Sequence, residues 1–504
     1  MGRISLIVGL ALAALAAAAA AAPQPLAIEQ LTREDHQVIE LTGSLVRYRF
    51  ADRGGVLESA YIHFYSYRAA AVDAVPGWVA ADSGLALAEG VSLPFEVWVG
   101  EDKRDQRDYT ASVVRQSDDV AKVELANKTD TVSVDKSFVV DSNAYYTLDV
   151  EVRLAAAGEA VRLVLGHRPV GKGAPDLLFL YDGEVYTSPL AAGAYSRFEG
   201  LGLVDREVVY FLRLDEASGL VPFLGMNTAG QPVFGLEAQS LSGEATVRGT
   251  LYAGRNRYLL LDKAGLGELT DLNLFSRFLV MVMRFFGWLY RATGNYGWAI
   301  ILFTLVTRVI LYPLMRNQLR SMAKMQRLQP KVKKLQEKYK DDRETLQKQM
   351  LELYRKERVN PLGGCLPMLL QLPILILLWQ AILYSAEQIH LSPGFLWIPD
   401  LSQPDPFYIL VVLTTGAMLF QQWLTQRRMP EQATGGTQVV GWIFPIFLAI
   451  LFMNFPAGLW LYYFLTTAFQ MGQQLVIDWE MAREGAASRG GASREAPSDG
   501  SQDD

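Results

Sequence analysis

The sequence predicts a membrane α-helical protein, five helices plus an N-terminal one, with an antiparallel β-sandwich domain outside the cytoplasm. Three observations predict it. Half of the 504 residues are apolar and mean hydropathy is +0.13, too oily for one soluble domain, yet 20% are charged, too many for a chain embedded throughout. The apolar residues are also segregated, alternating with period two before residue 270 and forming long runs after residue 296. Finally, Lys and Arg crowd into one segment between the first two runs, the pattern that sets membrane orientation. The net charge of −6 says little because the charges are so unevenly placed. Cys365 is the one cysteine, which excludes an intrachain disulfide framework, and His36, His63, His167 and His390 lack ligand spacing. Neither a GxxxxGK[ST] loop nor a GxSxG elbow occurs. No enzyme chemistry, metal or cofactor is expected.

Taken in order, residues 1–22 hold an Ala- and Leu-rich run behind Met1-Gly2-Arg3. This reads as an uncleaved first membrane helix or as a secretory signal, with Ala20-Ala21-Ala22 before Pro23 suited to a signal peptidase. Both readings deliver the next segment to the outer side. Over residues 23–270, short alternating runs such as Phe95-Glu96-Val97-Trp98-Val99 and Tyr146-Thr147-Leu148-Asp149-Val150 are punctuated by Gly, Asp and Asn, which predicts the β-sandwich. It carries no compact carboxylate pair or nucleophile motif, so a scaffold or docking role is expected. Residues 271–292 place Arg277, Arg284 and Arg291 on one helical face with Phe278, Val282 and Phe286 elsewhere. A helix lying in the membrane interface keeps all three guanidinium groups wet.

The core, 293–477, contains five apolar stretches: Tyr296–Met315, Leu362–Tyr384, Phe407–Leu424, Val439–Phe455 and Ala457–Ile477. About 20 residues cross the ~30 Å hydrocarbon layer, so each is of roughly spanning length. Arg316–Arg358 carries fourteen Lys or Arg against six acids, the loop Ser385–Pro406 carries no Lys or Arg, and Thr425–Gln438 regains Arg427 and Arg428. Positive residues stay cytoplasmic, so the first stretch enters the cytoplasm and the β domain lies outside. Within 316–358, Met322, Met325, Leu328, Val332, Leu335 and Tyr339, then Leu346, Met350 and Leu353, recur at helical spacing around a break at Asp341-Asp342. That predicts a cytoplasmic hairpin of two amphipathic helices, kinked at Pro330. Lys324, Arg327, Lys331, Lys333 and Lys334 give it a basic face suited to anionic lipid headgroups or ribosomal RNA, or simply to fixing topology. Residues 478–504 read as a disordered cytoplasmic tail.

Arg308 sits in the middle of the first stretch. An arginine at a helix centre costs ~2.5–3.5 kcal/mol on insertion scales and should face a bundle interior or water. Thr304, one turn earlier, shares its face. The rival reading is snorkelling to the basic flank. Gln371, Gln380, Thr414, Thr415, Gln421, Gln422, Tyr462, Tyr463, Thr466, Thr467 and Gln470 add polarity, as interhelical hydrogen bonds or as the lining of a hydrated cavity.

Four motifs then occur in one order: Thr304-x3-Arg308 before Tyr312-Pro313-Leu314; Ser321–Met325 leading into Leu328-Gln329-Pro330-Lys331; Asn360–Cys365 with Pro367 and Gln371; and Phe455-Pro456-Ala457-Gly458 before Leu461-Tyr462-Tyr463. Over residues 271–477 the chain resembles the YidC/Oxa/Alb membrane insertases, and its β domain is similar in placement to the periplasmic domain of Gram-negative members. The resemblance implies a bacterial inner-membrane protein with a groove open to cytoplasm and lipid and closed outward. Arg308 would be the groove's positive centre, lined by Thr304 and Tyr462 or Tyr463. It further implies that hairpin 316–358 helps receive nascent membrane proteins, alone or beside the Sec translocon. Two departures stand out. The tail Trp479–Asp504 has three arginines against six acids, unlike the basic, ribosome-attracting tail of many relatives, and the stretch between the first helix and the β domain is short. The alternatives are a secondary transporter or channel, which intramembrane charge often marks, and a β-sandwich enzyme or glycan-binding domain on an anchor. A transporter would usually show paired halves with corresponding broken helices, and no such duplication is visible.

Overall fold

A computed structural model describes residues 25–492 apart from 34–35, 65–71, 82–83, 88–89, 103–104, 106, 192–193, 218, 271, 341, 358–365 and 427–434. The leader 1–22, the motif Asn360–Cys365, Arg427, Arg428 and residues 493–504 thus lie outside the described residues. The chain divides into two compact units, one of strands and one of helices.

The β unit is built as alternation dictates. Along Val132–Asp141, Val132, Val134, Lys136, Phe138 and Val140 are buried and the residues between them are not. Five strands between Ala27 and Asp73 form one antiparallel sheet in sequence order. A second, of eleven strands, centres on two unusually long antiparallel partners, Thr147–His167 and Pro232–Arg255, running from Thr147 opposite Tyr252 to His167 opposite Val233. Register shifts near Gly158 and Gly166 interrupt this ladder, and both glycines have positive φ, as bulged backbone requires. Leu41, Phe50 and Leu57 of the first sheet share one core with Phe138, Val152 and Leu251 of the second, so the sheets pack face to face. An antiparallel β-sandwich is present, as the alternation predicts. A short helix, α1 (Tyr258–Lys263), closes it. The unit extends to Val280 and takes in residues 384–392 from far downstream.

The helical unit contains α2 (Leu274–Thr293, shared with the β unit as far as Val280), α3 (Tyr296–Lys338), α4 (Arg343–Lys356), α5 (Leu366–Tyr384), α7 (Ile409–Gln426), α8 (Gly435–Phe452) and α9 (Ala457–Ala492); α6 (Ala386–His390) belongs to the β unit. On α2, Leu279, Val280, Met283, Phe286 and Leu289 are buried, Arg277, Arg284 and Arg291 are exposed, and so are Phe275, Phe278 and Trp288. α9 packs on α3 and α7, and α7 on α8. Among the described residues one segment, Tyr296–Pro313, is long and apolar enough to cross a membrane by length and composition; Pro373–Tyr384, Ile409–Leu424 and Gly441–Phe452 are shorter apolar helices.

Two boundaries differ from the sequence reading. The first apolar stretch does not end before the hairpin, because α3 runs through Pro313 and Pro330 to Lys338. A proline removes one backbone donor and strains one turn, and the strong helix formers on both sides carry the helix past it. Instead of a disordered tail from residue 478, α9 continues to Ala492, carried by helix formers such as Glu480, Met481, Ala482, Arg483 and Glu484.

Candidate functional site: a buried arginine inside an outward-apolar helix bundle

Helix α3 starts on a well-formed cap: Asn295 has extended backbone and its side chain accepts from the Gly297 N–H at 2.8 Å. Tyr296, Ile300, Thr304 and Arg308 then follow at four-residue spacing, all buried on one face. The opposite face carries Leu305, Val309 and Ile310, the last two 66% and 68% exposed. Arg308 is 5% exposed, in the seat where a water-soluble bundle would hold a leucine.

Arg308 donates a hydrogen bond to the Tyr462 hydroxyl of α9, which is itself buried. Thr304 turns its hydroxyl back to the Ile300 carbonyl at 2.7 Å, and Thr307 does the same to Thr304 at 2.8 Å. One turn beyond Tyr462, Thr466 and Thr467 are buried; the Thr467 hydroxyl donates to the Tyr463 carbonyl, while that of Thr466 has no hydrogen-bond partner among the described residues. On α7, buried Thr414 reaches the Trp460 carbonyl at 3.4 Å. The interior of α3, α7 and α9 thus holds a guanidinium, a phenol and several hydroxyls, while Val412, Ile450 and Leu475 point outward.

Of the predicted site residues, Arg308, Thr304 and Tyr462 lie on inward faces, and Arg308 and Tyr462 meet directly. Tyr463, Gln421 and Gln422 are half-buried. Gln422 lies against Gly441 of α8, where even a Cβ would come within 2.2 Å of its amide nitrogen. The side chain of Gln371 lies outside the described residues, as do those of Lys324, Arg327 and Lys333. Lys331 and Lys334 are exposed, and Lys331 pairs with Glu357 at 2.6 Å, bridging α3 to the residue that follows α4. Leu328 and Val332 supply the buried side of the hairpin, and Asp342 caps α4 through the Thr345 N–H at 3.0 Å.

Sequence reasoning missed the bracket at one end of this bundle. Asn295 donates to the carbonyls of Pro393 and Gly394. The first N–H groups of α9, Ala457 and Gly458, donate to the carbonyls of Gln403 and Leu401 at 2.7 and 2.9 Å. Buried Asp405 accepts from Trp397 Nε1 and from the N–H groups of Phe407 and Leu410, holding the start of α7. Gly458 fits this corner closely: a Cβ would lie 3.0–3.3 Å from Ile300, Ile382 and the Leu401 carbonyl, so its neighbours would have to give by a few tenths of an ångström. An acidic residue four positions ahead of an apolar run was the available signal for Asp405.

Residues 288–484 match the family described as 60Kd inner membrane protein. The membrane protein insertase YidC of Wolinella succinogenes is 37% identical over 303 residues, 59% of this chain and 53% of that one. That of Francisella tularensis subsp. novicida is 44% identical over 206 residues, 41% of this chain and 36% of its own. The matched stretches thus span about half or less of these relatives. A crystal structure of an active YidC insertase with its first transmembrane domain resolved superposes with a TM-score of 0.52 at 25% identity, covering 93% of this chain and 98% of that one. The order of motifs along the helical unit, its polar interior and these likenesses agree: over residues 288–484 the chain matches the 60Kd inner membrane protein family, and it is similar in sequence and in fold to YidC membrane protein insertases.

Proposed function

We propose that this chain inserts nascent membrane proteins into the bacterial inner membrane, using the Arg308 face of α3 as a polar half-path. The observation that carries the reading is the inverted burial of α3, with Arg308 and Thr304 inward and Val309 and Ile310 outward. In water such a helix would turn over; in lipid it is the stable arrangement. The apolar helices α3, α5, α7, α8 and α9 are then the spans, α2 lies in the interface, the hairpin is cytoplasmic and the β unit periplasmic, a reading that the charge asymmetry of the loops supports.

The mechanism follows from costs. A client's polar flank must cross ~30 Å of hydrocarbon, where each unmet polar group costs several kcal/mol. A groove entered from the cytoplasm and open sideways to lipid shortens that path. Arg308, held by Tyr462, attracts acidic or polar residues of the translocated flank, and the hydroxyls of Thr304, Thr466 and Thr467 keep the interior hospitable to water. Driving force comes from partitioning, roughly −0.3 to −0.6 kcal/mol for each Leu, Ile, Phe or Val that leaves for lipid. No covalent step or nucleotide is needed. The exposed lysines of the hairpin suit anionic lipid or the ribosome, although the acidic tail weakens the ribosomal option, and the Sec translocon is a fitting partner for larger clients.

The test is insertion of a single-span client with an acidic tail into proteoliposomes, read as the protease-protected fraction. Arg308→Ala is expected to lower the yield several-fold and Arg308→Lys to retain part of it, with a neutral-tailed client less affected. Wild-type yield from both variants contradicts charge attraction. Flux of a small solute without insertion favours a transporter instead.

A further inference from the structure

Residues 384–392, at the start of the loop whose charge pattern assigns it to the outer side, are built into the β unit. Ala386 belongs to the sandwich core, and Leu391 packs against it. The ring of His390 lies 4.4 Å from that of Phe64. Between them Glu387, 1% exposed, places Oε1 3.3 Å from Arg257 Nε and accepts from the Tyr146 hydroxyl at 3.2 Å. Arg257 also lies over the ring of Tyr384, 5.8 Å from its centroid. One carboxylate thus joins three parts of the chain that are more than a hundred residues apart in sequence.

Two details indicate that this junction is specified. Tyr146 has φ +63°, a left-handed conformation that an aromatic residue adopts only under constraint. Gly254 lets its ring close in, since a Cβ there would come within 2.2 Å of it. Burial and the Glu387 carboxylate both push the Tyr146 phenol well above its ordinary range, so it remains a donor. An apolar contact would hold α6 at least as firmly as an ion pair, because desolvation offsets most of the attraction. What a buried, directional pair adds is a single docking position.

We infer that Glu387 is a positioning residue for insertion, fixing segment 384–392 as a strap of the β unit. The chain leaves the strap at Ser392 and passes directly into residues 393–405, whose carbonyls and Asp405 hold the starts of α3, α7 and α9. The segment that Glu387 holds to the β unit is thus continuous in sequence with the loop that brackets the helices. The inference rests on the insertase reading and assigns the β unit a task in it.

The test uses the full chain in proteoliposomes, with hydrogen exchange over residues 384–392 and client insertion measured on each sample. E387R and R257E are each expected to speed exchange in the strap by an order of magnitude and to lower insertion several-fold, and the E387R/R257E double variant to recover both. E387Q, which keeps shape and fold, is expected to lie between. Wild-type insertion from E387R or from R257E, or a double variant no better than either single one, overturns the role. So does E387Q with unchanged exchange and insertion. Arg308→Ala run in parallel separates the two readings: insertion lost only through Arg308 sinks the strap, and insertion lost only through Glu387 sinks the groove.

Discussion

In the β unit, Phe50, Phe138, Trp98 and Leu251 are buried, and Arg153, Arg248 and Glu244 stand in solvent. In the helical unit, Val309, Ile310, Phe447 and Ile450 stand outside, and Thr304, Thr414, Thr466 and Arg308 are buried. Both units also bury long cations, Lys136 and Arg255 in the first and Arg308 in the second. Lys136 of the β unit is fully enclosed, donates to the carbonyls of Gly54 and Gly55 at 2.8 Å, lies 4.0 Å from the Asp105 carboxylate and sits over the Tyr109 ring. Arg308 meets a phenol, among helices whose apolar stretches contain no Asp or Glu. The contrast is the one expected of two solvents acting on one chain, water around the β unit and, on the function proposed above, lipid around the helices. Where water surrounds the unit, a buried charge is neutralised by a dedicated set of partners. Where lipid surrounds it, the interior is the more polar side, and a cation there can serve a passing client.

The largest expected effect concerns Lys136. Burial pulls its ammonium down to about 7, while Asp105 pulls the other way. Between that value and the ordinary 10.5 the unfolded chain binds more protons than the folded one, so stability rises with pH across the window, by up to ~1.4 kcal/mol per pH unit. Thermal unfolding of the full chain, followed by hydrogen exchange in strand Val132–Asp141, should show this rise between pH 7 and pH 10 and lose it in Lys136→Met. An unchanged slope in that variant would mean that the cation is not desolvated as described.

A smaller effect sharpens the difference in solvent. Val309 of α3 and Val170 of the β unit are both strongly exposed, Val170 at 76%. Val309→Arg should cost ~2.5–3.5 kcal/mol if lipid covers that face and lower the amount of membrane-integrated protein. Val170→Arg should stay within about ±0.5 kcal/mol, as a surface change in water does. Equal tolerance at the two positions would break the comparison.

Much of this was legible in residue order. Alternation such as that of Val132–Asp141 marks the sandwich, and the four-residue spacing of Thr304 and Arg308 puts both on one face of a helix. What was not legible depends on contacts between distant segments. Nothing local in Ser385–Ser392 announces that Ala386 joins a core whose other members precede it by more than a hundred residues. The continuity of α3 through Pro313 and Pro330 was hidden because proline is a local stop signal that flanking helix formers can override. The partner of Arg308 is a residue on α9 whose register only packing fixes.

The central claim is that the interior around Arg308 is wet from the cytoplasmic side. In a Cys365→Ser background, Thr466→Cys places a thiol at a buried hydroxyl near Tyr462, and a membrane-impermeant maleimide applied to inverted inner-membrane vesicles reads its access to water. The account predicts labelling in intact vesicles, reduced when a stalled client occupies the groove. A thiol that stays unlabelled until detergent is added would contradict it.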